Sequence, residues 1–466
     1  MQRDISTIEI DESILSGKTH VHFIGVGGSG MFPLVQILLA EGFCISGSDN
    51  NETETLAIER GLGVEVFMGH SPENLKGADL VVYSAAIMQD NPELMAAREQ
   101  GILTIERSIL LGLITKRYGN ALCVSGTHGK TTTTSMLTQI LFEAGLDPSA
   151  VIGGKLHAIG GSGRAGHSEL MVCEACEFVD TFLKLFPDTA IILNIDNDHL
   201  DYFGTVENTI KSFHQFAKKA TKLVIVNGDD ANSMKAVEGL KTEIITFGLK
   251  EHNDYRAENI IHSDGRERYN TSFDLVYKGQ LVAHIVLHVP GVHNVYNAMA
   301  AAVSAISAGA SPLQAAEGLS HFKGAGRRFE ILGHVNGVTI ADDYAHHPAE
   351  LTVTLRAAKS MGYKKVWAVF QPFTFSRTYL LLEDFAQALS IADRVVLSPI
   401  MGSREVNTYN IYSTDLAEKI GGCVVQDSFE QIADYVLKNA EEGDLVITLG
   451  CGDIYKAAKL MLKSAE

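Results

Sequence analysis

The chain has 466 residues, 46% of them hydrophobic and 20% charged, with a formal net charge of -18 at pH 7. That length exceeds what one hydrophobic core organises and, at roughly 150 residues per domain, implies three domains; the composition excludes a disordered or fibrous chain. The acidity is spread without long like-charge blocks, which argues against a nucleic-acid or anionic-membrane partner, and six cysteines are too few for a disulfide framework at this length.

The first residues include Asp4, Glu9, Asp11 and Glu12, the wrong chemistry for a secretory signal or transit peptide. No stretch approaches the roughly 20 uninterrupted apolar residues of a membrane span, so no membrane insertion is expected and the expected location is cytoplasmic. Over 1–118, short β-branched runs at 20–24, 43–47 and 80–84 alternate with helical patterns such as 31–40, which reads as a parallel α/β domain. In IGVGGSG, Gly25, Gly27 and Gly30 follow a strand and open a helix. With Gly28 and Ser29 they form a loop whose N–H groups can approach a diphosphate. Asp49 ends the next strand, where a ribose-binding acid is expected. Alone, the motif reads as a nicotinamide dinucleotide site, but its geometry suits any nucleotide diphosphate, and a purely structural turn stays open.

A second α/β unit over 119–322 opens with a strand at 122–125 and a helix at 130–143, followed by strands at 170–174 and near 190–195. A β-rich stretch, 243–289, is expected to form a side sheet ahead of an alanine-rich helix at 294–308. The segment VSGTHGKTTTTSML has the order of a phosphate-binding loop: strand, glycine loop, lysine, hydroxyl residues, helix. It departs from GxxxxGK[ST], since Val124 stands five before Gly129, but the mechanics survive. Backbone amides of Gly126, Thr127, His128 and Gly129 can cradle phosphate, Lys130 can reach the β- and γ-phosphates, and Thr131, with Thr132 beside it, can offer a hydroxyl to Mg2+. Glu174 closes a strand and His199 follows another, so both are candidate metal partners with Thr131. Cys173 and Cys176 form a lone CxxC without a second Cys or His pair at zinc spacing.

The third unit, 323–466, again alternates, with strands at 338–341, 365–370, 394–398 and 445–449, the last leading into Gly450, Gly452 and a helix. The segments GTHGKTTTT, EACE, NIDNDHLDYF, PGVHNVYNAMAA, GRRFE, DDYAHHP and FQPFTFSRT, in that order, resemble the signatures of the Mur ligase family. The resemblance implies a Rossmann-like UDP-binding domain, a central P-loop ATPase-like domain and a C-terminal Rossmann-like domain that brings an amino acid. It implies ATP and Mg2+ as cofactors, UDP-N-acetylmuramate and L-alanine as partners, and ligation through an acyl phosphate, by a monomer or homodimer.

By the same resemblance the loop at Gly25 holds UDP, and His70 and Ser84 lie near the UDP-sugar. Asn294 meets adenine, Asp343 the ATP ribose and Arg328 the γ-phosphate, while Tyr344, His346 and Arg377 lie near the amino acid or acyl phosphate. Lys130, His199, Arg328, His346 and Arg377 are the implied catalytic set, with His199 or His346 as the base for the attacking amine. Plainer readings stay open: HHP at His346 as a turn leading into a helix, and GRRFE as a solvated linker. Two positions depart from the family: Phe373 where relatives often carry His, and His214 where several carry a lysine. A recycling ligase that attaches a murein tripeptide, a nucleotide-switched binding protein and a nicotinamide dehydrogenase are the alternative functions.

Overall fold

The computed structural model describes residues 10–197, 199–263, 270–403 and 405–464; Asp4 and Glu9 lie outside them. It divides into two compact units, the first comprising 1–259, 273–285 and 296–320, the second 260–272, 286–295 and 321–466. Among the described residues no helix is long and apolar enough to cross a membrane.

The first unit begins with β1 (His20–Ile24), β2 (Cys44–Asp49), β3 (Glu65–Met68), β4 (Leu80–Tyr83) and β5 (Leu103–Glu106). They form a parallel sheet in the order β3-β2-β1-β4-β5. Strand order therefore runs outward from β1 to β2 on one side and to β4 on the other, the switch point where open α/β sheets bind ligands. Because side chains alternate across a strand, Val21 and Phe23 enter one apolar core while Ile24 enters another with Val81, Tyr83 and Leu94.

The same unit continues with β6 (Asn120–Ser125), β7 (Ser149–Leu156), β8 (Gly161–Arg164), β9 (Leu170–Glu174), β10 (Thr189–Ile192), β11 (Leu223–Asn227) and β12 (Glu243–Gly248). After them come β13 (Tyr255–Ser263), β14 (Asn270–Tyr277) and β15 (Gln280–Leu287). All ten belong to one sheet, β15-β14-β13-β12-β11-β10-β6-β9-β7-β8. The stretch 243–289 thus extends the main sheet instead of forming a side sheet. β12 pairs parallel with β11 from Leu223↔Glu243 to Asn227↔Phe247, since its β-branched and aromatic run meets an otherwise open strand edge. The strand expected to reach residue 195 stops at Ile192, because Asn194 turns aside to bind the phosphate-type loop.

The second unit carries β16 (Glu330–Val335), β17 (Val338–Asp343), β18 (Val366–Phe370), β19 (Arg394–Leu397), β20 (Val424–Val425) and β21 (Leu445–Leu449). Their order is β16-β17-β21-β18-β19-β20, with only the β16/β17 pair antiparallel. Apolar cores lie on both faces, one including Leu351, Phe370 and Phe385 and the other Trp367, Ile432 and Met461. Alternating strands and helices covering both faces of a mainly parallel sheet give the α/β class expected from the sequence.

Candidate functional site

In the first sheet the expected residues converge on the C-terminal strand ends. Gly25 follows β1, Asp49 ends β2, His70 follows β3 and Ser84 follows β4. Gly25 has φ +83 and its N–H donates to Ser48 O at 2.8 Å, so the chain turns sharply there. The N–H of Gly28 donates to Gly25 O at 3.2 Å, and that of Gly27 to Asp49 Oδ2 at 3.1 Å. Asp49 therefore braces the loop besides standing where a ribose acid is expected. Among the described residues nothing accepts from the amides of Ser29 and Gly30, so these two are the donors left for an anion.

The second loop follows β6, between β10 and β9. Gly129 has φ +88, and a Cβ there would collide with Asn297 Oδ1; the loop needs glycine on both counts. Asn194 clamps the loop from beyond β10: Thr127 N–H donates to its carbonyl at 3.0 Å, His128 N–H to its Oδ1 at 2.8 Å, and its Nδ2 to His128 O at 3.0 Å. Lys130 begins the helix Lys130–Glu143, with Thr131 and Thr132 in its first turn. The Lys130 ammonium donates to Gly126 O at 2.5 Å and Thr127 O at 3.0 Å and lies 2.9 Å from Glu177 Oε2. Burial opposes that charge, but Glu177, Cys176 and Glu174 outweigh it and hold the lysine above its ordinary pKa.

Glu174 ends β9 in register with Val124 of β6. It accepts from Thr131 Oγ1 at 3.1 Å and from Gly153 N–H at 2.8 Å. A Cβ at Gly153 would lie 2.5 Å from Glu174 Oε2, so glycine there makes room for the carboxylate. A hydroxyl and a carboxylate meeting beside a phosphate-type loop are hard oxygen donors of the kind Mg2+ takes while keeping waters. His199 has φ +54, with its ring centroid 4.7 Å from that of Phe178 and Nε2 4.0 Å from Glu177 Oε1. It is thus linked to Lys130 through Glu177, which the sequence reading overlooked although it lies three residues past Glu174.

A cavity of about 130 Å³ inside this unit runs from the first loop to Glu174, the partner of the Thr131 hydroxyl. Ser29 and Gly30 line it from the first sheet, Gly153, Glu174 and Cys176 from the second, and Arg107 stands among them. Burial lowers the Arg107 pKa against the pull of Cys176, Glu174 and Glu106, yet a guanidinium stays charged. Arg107 was not singled out from sequence because it belongs to no loop motif. Cys173 Sγ faces Cys123 Sγ at 3.4 Å, so the CxxC spacing does not make Cys173 and Cys176 a pair.

In the second unit Asp343 ends β17 and accepts from Phe329 N–H at 2.7 Å and Ala345 N–H at 2.8 Å. Burial, partly offset by Arg328, pushes its pKa up to about 6. GRRFE is anchored and is not a solvated linker. Arg327 Nε lies 2.9 Å from Asp342, its Nη2 donates to Gly450 O at 2.6 Å, and its guanidinium lies 5.0 Å from the Tyr344 ring. Arg328 covers the same ring at 5.3 Å. His347 caps the helix Pro348–Ser360, so part of HHP is indeed a turn into a helix. His346 Nδ1 lies 3.2 Å from Glu350 Oε2. Arg377, on the helix Phe375–Leu380, lies close enough to Cys451 to favour its thiolate, although burial still pushes that thiol up to about 11. Asn294, on the helix Val292–Ser307, donates from Nδ2 to Pro290 O at 2.6 Å.

Two glycine loops at parallel strand ends, the second gathering a lysine, hydroxyls and a carboxylate, define an α/β nucleotide-binding protein. Three family descriptions match successive segments: "Mur ligase family, catalytic domain" over 20–119, "Mur ligase middle domain" over 124–305, and "Mur ligase, glutamate ligase domain" over 327–452. The UDP-N-acetylmuramate–L-alanine ligase of Caldanaerobacter subterraneus subsp. tengcongensis is 44% identical over 98% of this chain and 99% of its own. The crystal structure of UDP-N-acetylmuramate-alanine ligase from Thermotoga maritima matches with a TM-score of 0.82 at 27% identity, covering 96% of this chain and 98% of that one. A murein peptide ligase from Psychrobacter arcticus gives 0.73 at 26% identity, with the same coverage of each chain. The chain belongs to the Mur ligase family, and its enzymatic class is that of a ligase. The nicotinamide dehydrogenase and switch-protein readings fall with that membership.

Proposed function

We propose that the protein joins L-alanine to the carboxylate of UDP-N-acetylmuramate with ATP, through an acyl phosphate, giving ADP and phosphate in cytoplasmic peptidoglycan precursor synthesis. The observation that carries this reading is the cavity in which the open amides of Ser29 and Gly30 and the Arg107 cation share walls with Glu174. A UDP-sugar held at the first loop would have a path there to Glu174, which accepts from the Thr131 hydroxyl of the second. The identity of 44% to the Caldanaerobacter alanine ligase supports the amino acid.

Thr131 and Glu174, with His199 nearby, would hold Mg2+, which supplies charge neutralisation at the phosphate oxygens when bound. Lys130 stabilises the charge that develops on the γ-phosphate as the sugar carboxylate attacks. Arg107 orients the anionic substrate. The amine of alanine then attacks the acyl carbonyl after losing a proton to His199 or His346. Asn294 is assigned to adenine, Asp343 to the ATP ribose and Arg328 to the γ-phosphate. Tyr344, His346 and Arg377 are assigned to the amino acid or acyl phosphate, and Gly25, Gly27, Gly28, Asp49, His70 and Ser84 to the UDP-sugar. Domain limits at 118/119 and 322/323 and a monomer or homodimer complete the reading.

The test is ADP release from ATP and Mg2+ in the presence of UDP-N-acetylmuramate, with and without L-alanine, while the UDP-linked product is followed by mass. ADP and an alanyl product rising together support the proposal; sugar-independent turnover would overturn it. The likeness to the Psychrobacter murein peptide ligase gives a second reading, attachment of a preformed tripeptide. Competition between L-alanine and the tripeptide separates the two.

A further inference from the structure

Behind the first glycine loop lies a buried polar network that none of the assigned roles uses. β1 and β2 pair with His20 opposite Cys44, His22 opposite Ser46 and Ile24 opposite Ser48. Alternation therefore puts His20, His22, Ser46 and Ser48 on one face. Beneath that face Glu93 occupies the first turn of the helix Pro92–Glu99, capped by Asn91, where the helix dipole favours an anion. Glu93 is fully buried. Its Oε1 accepts from Asn74 Nδ2 at 2.6 Å and stands 3.5 Å from His22 Nε2. Its Oε2 accepts from the Ser48 hydroxyl and lies 2.9 Å from His70 Nδ1. Burial pushes the carboxyl up, but nearby His22 and the hydrogen bonds from Ser48 and Asn74 outweigh it and hold the group below the ordinary glutamate value.

Proton bookkeeping then fixes His70. An ionised carboxylate only accepts, so the nitrogen facing it must carry a proton. Ser48 Oγ lies 2.9 Å from the same Nδ1; its single proton goes to Glu93, so toward His70 it too can only accept. Both neighbours demand N–H at Nδ1. In the neutral ring this leaves Nε2 as an acceptor, and no described residue bonds to it. The imidazole sits just past β3, where Gly69 N–H donates to Asp49 O at 2.8 Å, beside the strand end that carries the ribose-type acid.

We propose that Glu93 is a positioning residue for the UDP-sugar site: it fixes the Nδ1–H tautomer of His70 so that Nε2 accepts a hydrogen bond from a hydroxyl or N–H of the nucleotide sugar. This rests on the assignment of His70 to that ligand. Steady-state kinetics of His70→Ala, Glu93→Gln and the double variant test it. Each single change raises KM for UDP-N-acetylmuramate about tenfold and leaves kcat and the ATP KM within about twofold, as expected for one lost hydrogen bond. The double variant is no worse than His70→Ala, because the two act as one unit. If the Glu93 effect multiplies undiminished on the His70→Ala background, Glu93 is only structural and the proposal is overturned. If His70→Ala leaves the sugar KM unchanged, the assignment of His70 itself fails and takes the proposal with it. Should Glu93→Gln not fold, the 15N spectrum of wild-type His70 decides: a neutral ring protonated on Nδ1 supports the proposal, and one protonated on Nε2 overturns it.

Discussion

Lys130 shows how one residue couples stability to chemistry. Its ammonium neutralises Glu177, whose side chain is only 2% exposed, so Lys130→Ala removes the phosphate contact and also strands a buried carboxylate. Turnover is expected to fall by about 3 kcal/mol in the transition state or more, by analogy with a single oxyanion donor, and melting temperature should fall with it. Adding Glu177→Gln should restore the melting temperature and leave turnover low; an active double variant would show that Lys130 matters only for folding. Glu59 makes a different case. It is fully buried, neither carboxylate oxygen has a hydrogen-bond partner, and burial, with Asp49 adding repulsion, raises its pKa to about 8. A raised carboxyl means that the folded state holds the proton longer than the unfolded one. Stability is therefore lost as pH rises from the ordinary glutamate value through 8. Glu59→Gln should gain little at pH 5 and a few kcal/mol by pH 9 in urea melts. A gain independent of pH would remove the carboxyl as its cause.

At the scale of elements, the motif-bearing strands and helices were legible because periodicity and loop chemistry agree in them. The helix Lys130–Glu143 and the strands Leu170–Glu174 and Leu445–Leu449 fall where the sequence places them. The strand near 190 is shorter than its apolar run suggests, since that run does not reveal that Asn194 is needed to clamp a loop more than sixty residues earlier. Glu93, Glu177, Gly153 and Arg107 were missed for a related reason. Each acts through a partner distant in sequence or lies outside any motif, and only strand register brings it to the site. Gly153 exposes that dependence most directly. β7 lies beside β9 in parallel register through Ala150↔Val172, and the bare backbone of Gly153 leaves room for Glu174. Gly153→Ala should displace the carboxylate and raise the Mg2+ concentration for half-maximal turnover about tenfold, the loss of one charged hydrogen-bond partner. An unchanged Mg2+ titration would mean that Glu174 does not hold the metal.

For the whole molecule, the sequence suggests three domains, whereas compactness divides the chain into two units, the first carrying both glycine loops. The three domains match the three separate sheets, whereas the division into two units does not follow from strand patterns, because periodicity carries no record of which cores merge. The two units have separate cores, one around Phe23, Leu34 and Phe213, the others around Phe370 and Trp367. Unfolding is therefore not expected to be a single two-state transition, and calorimetry should give a van't Hoff enthalpy below the calorimetric one. Ligands that bind the folded first unit raise its transition by mass action, about 2.7 kcal/mol at a hundredfold excess over Kd. Because the loops are separate, UDP-N-acetylmuramate and a non-hydrolysable Mg-ATP analogue should each raise that transition alone. Lys130→Ala should shrink the nucleotide shift and preserve the sugar shift. If the variant loses both shifts equally while still melting cooperatively, the two ligands share one loop and the division of labour between Gly25 and Lys130 is wrong; if only the nucleotide shift shrinks, each loop holds its own phosphate.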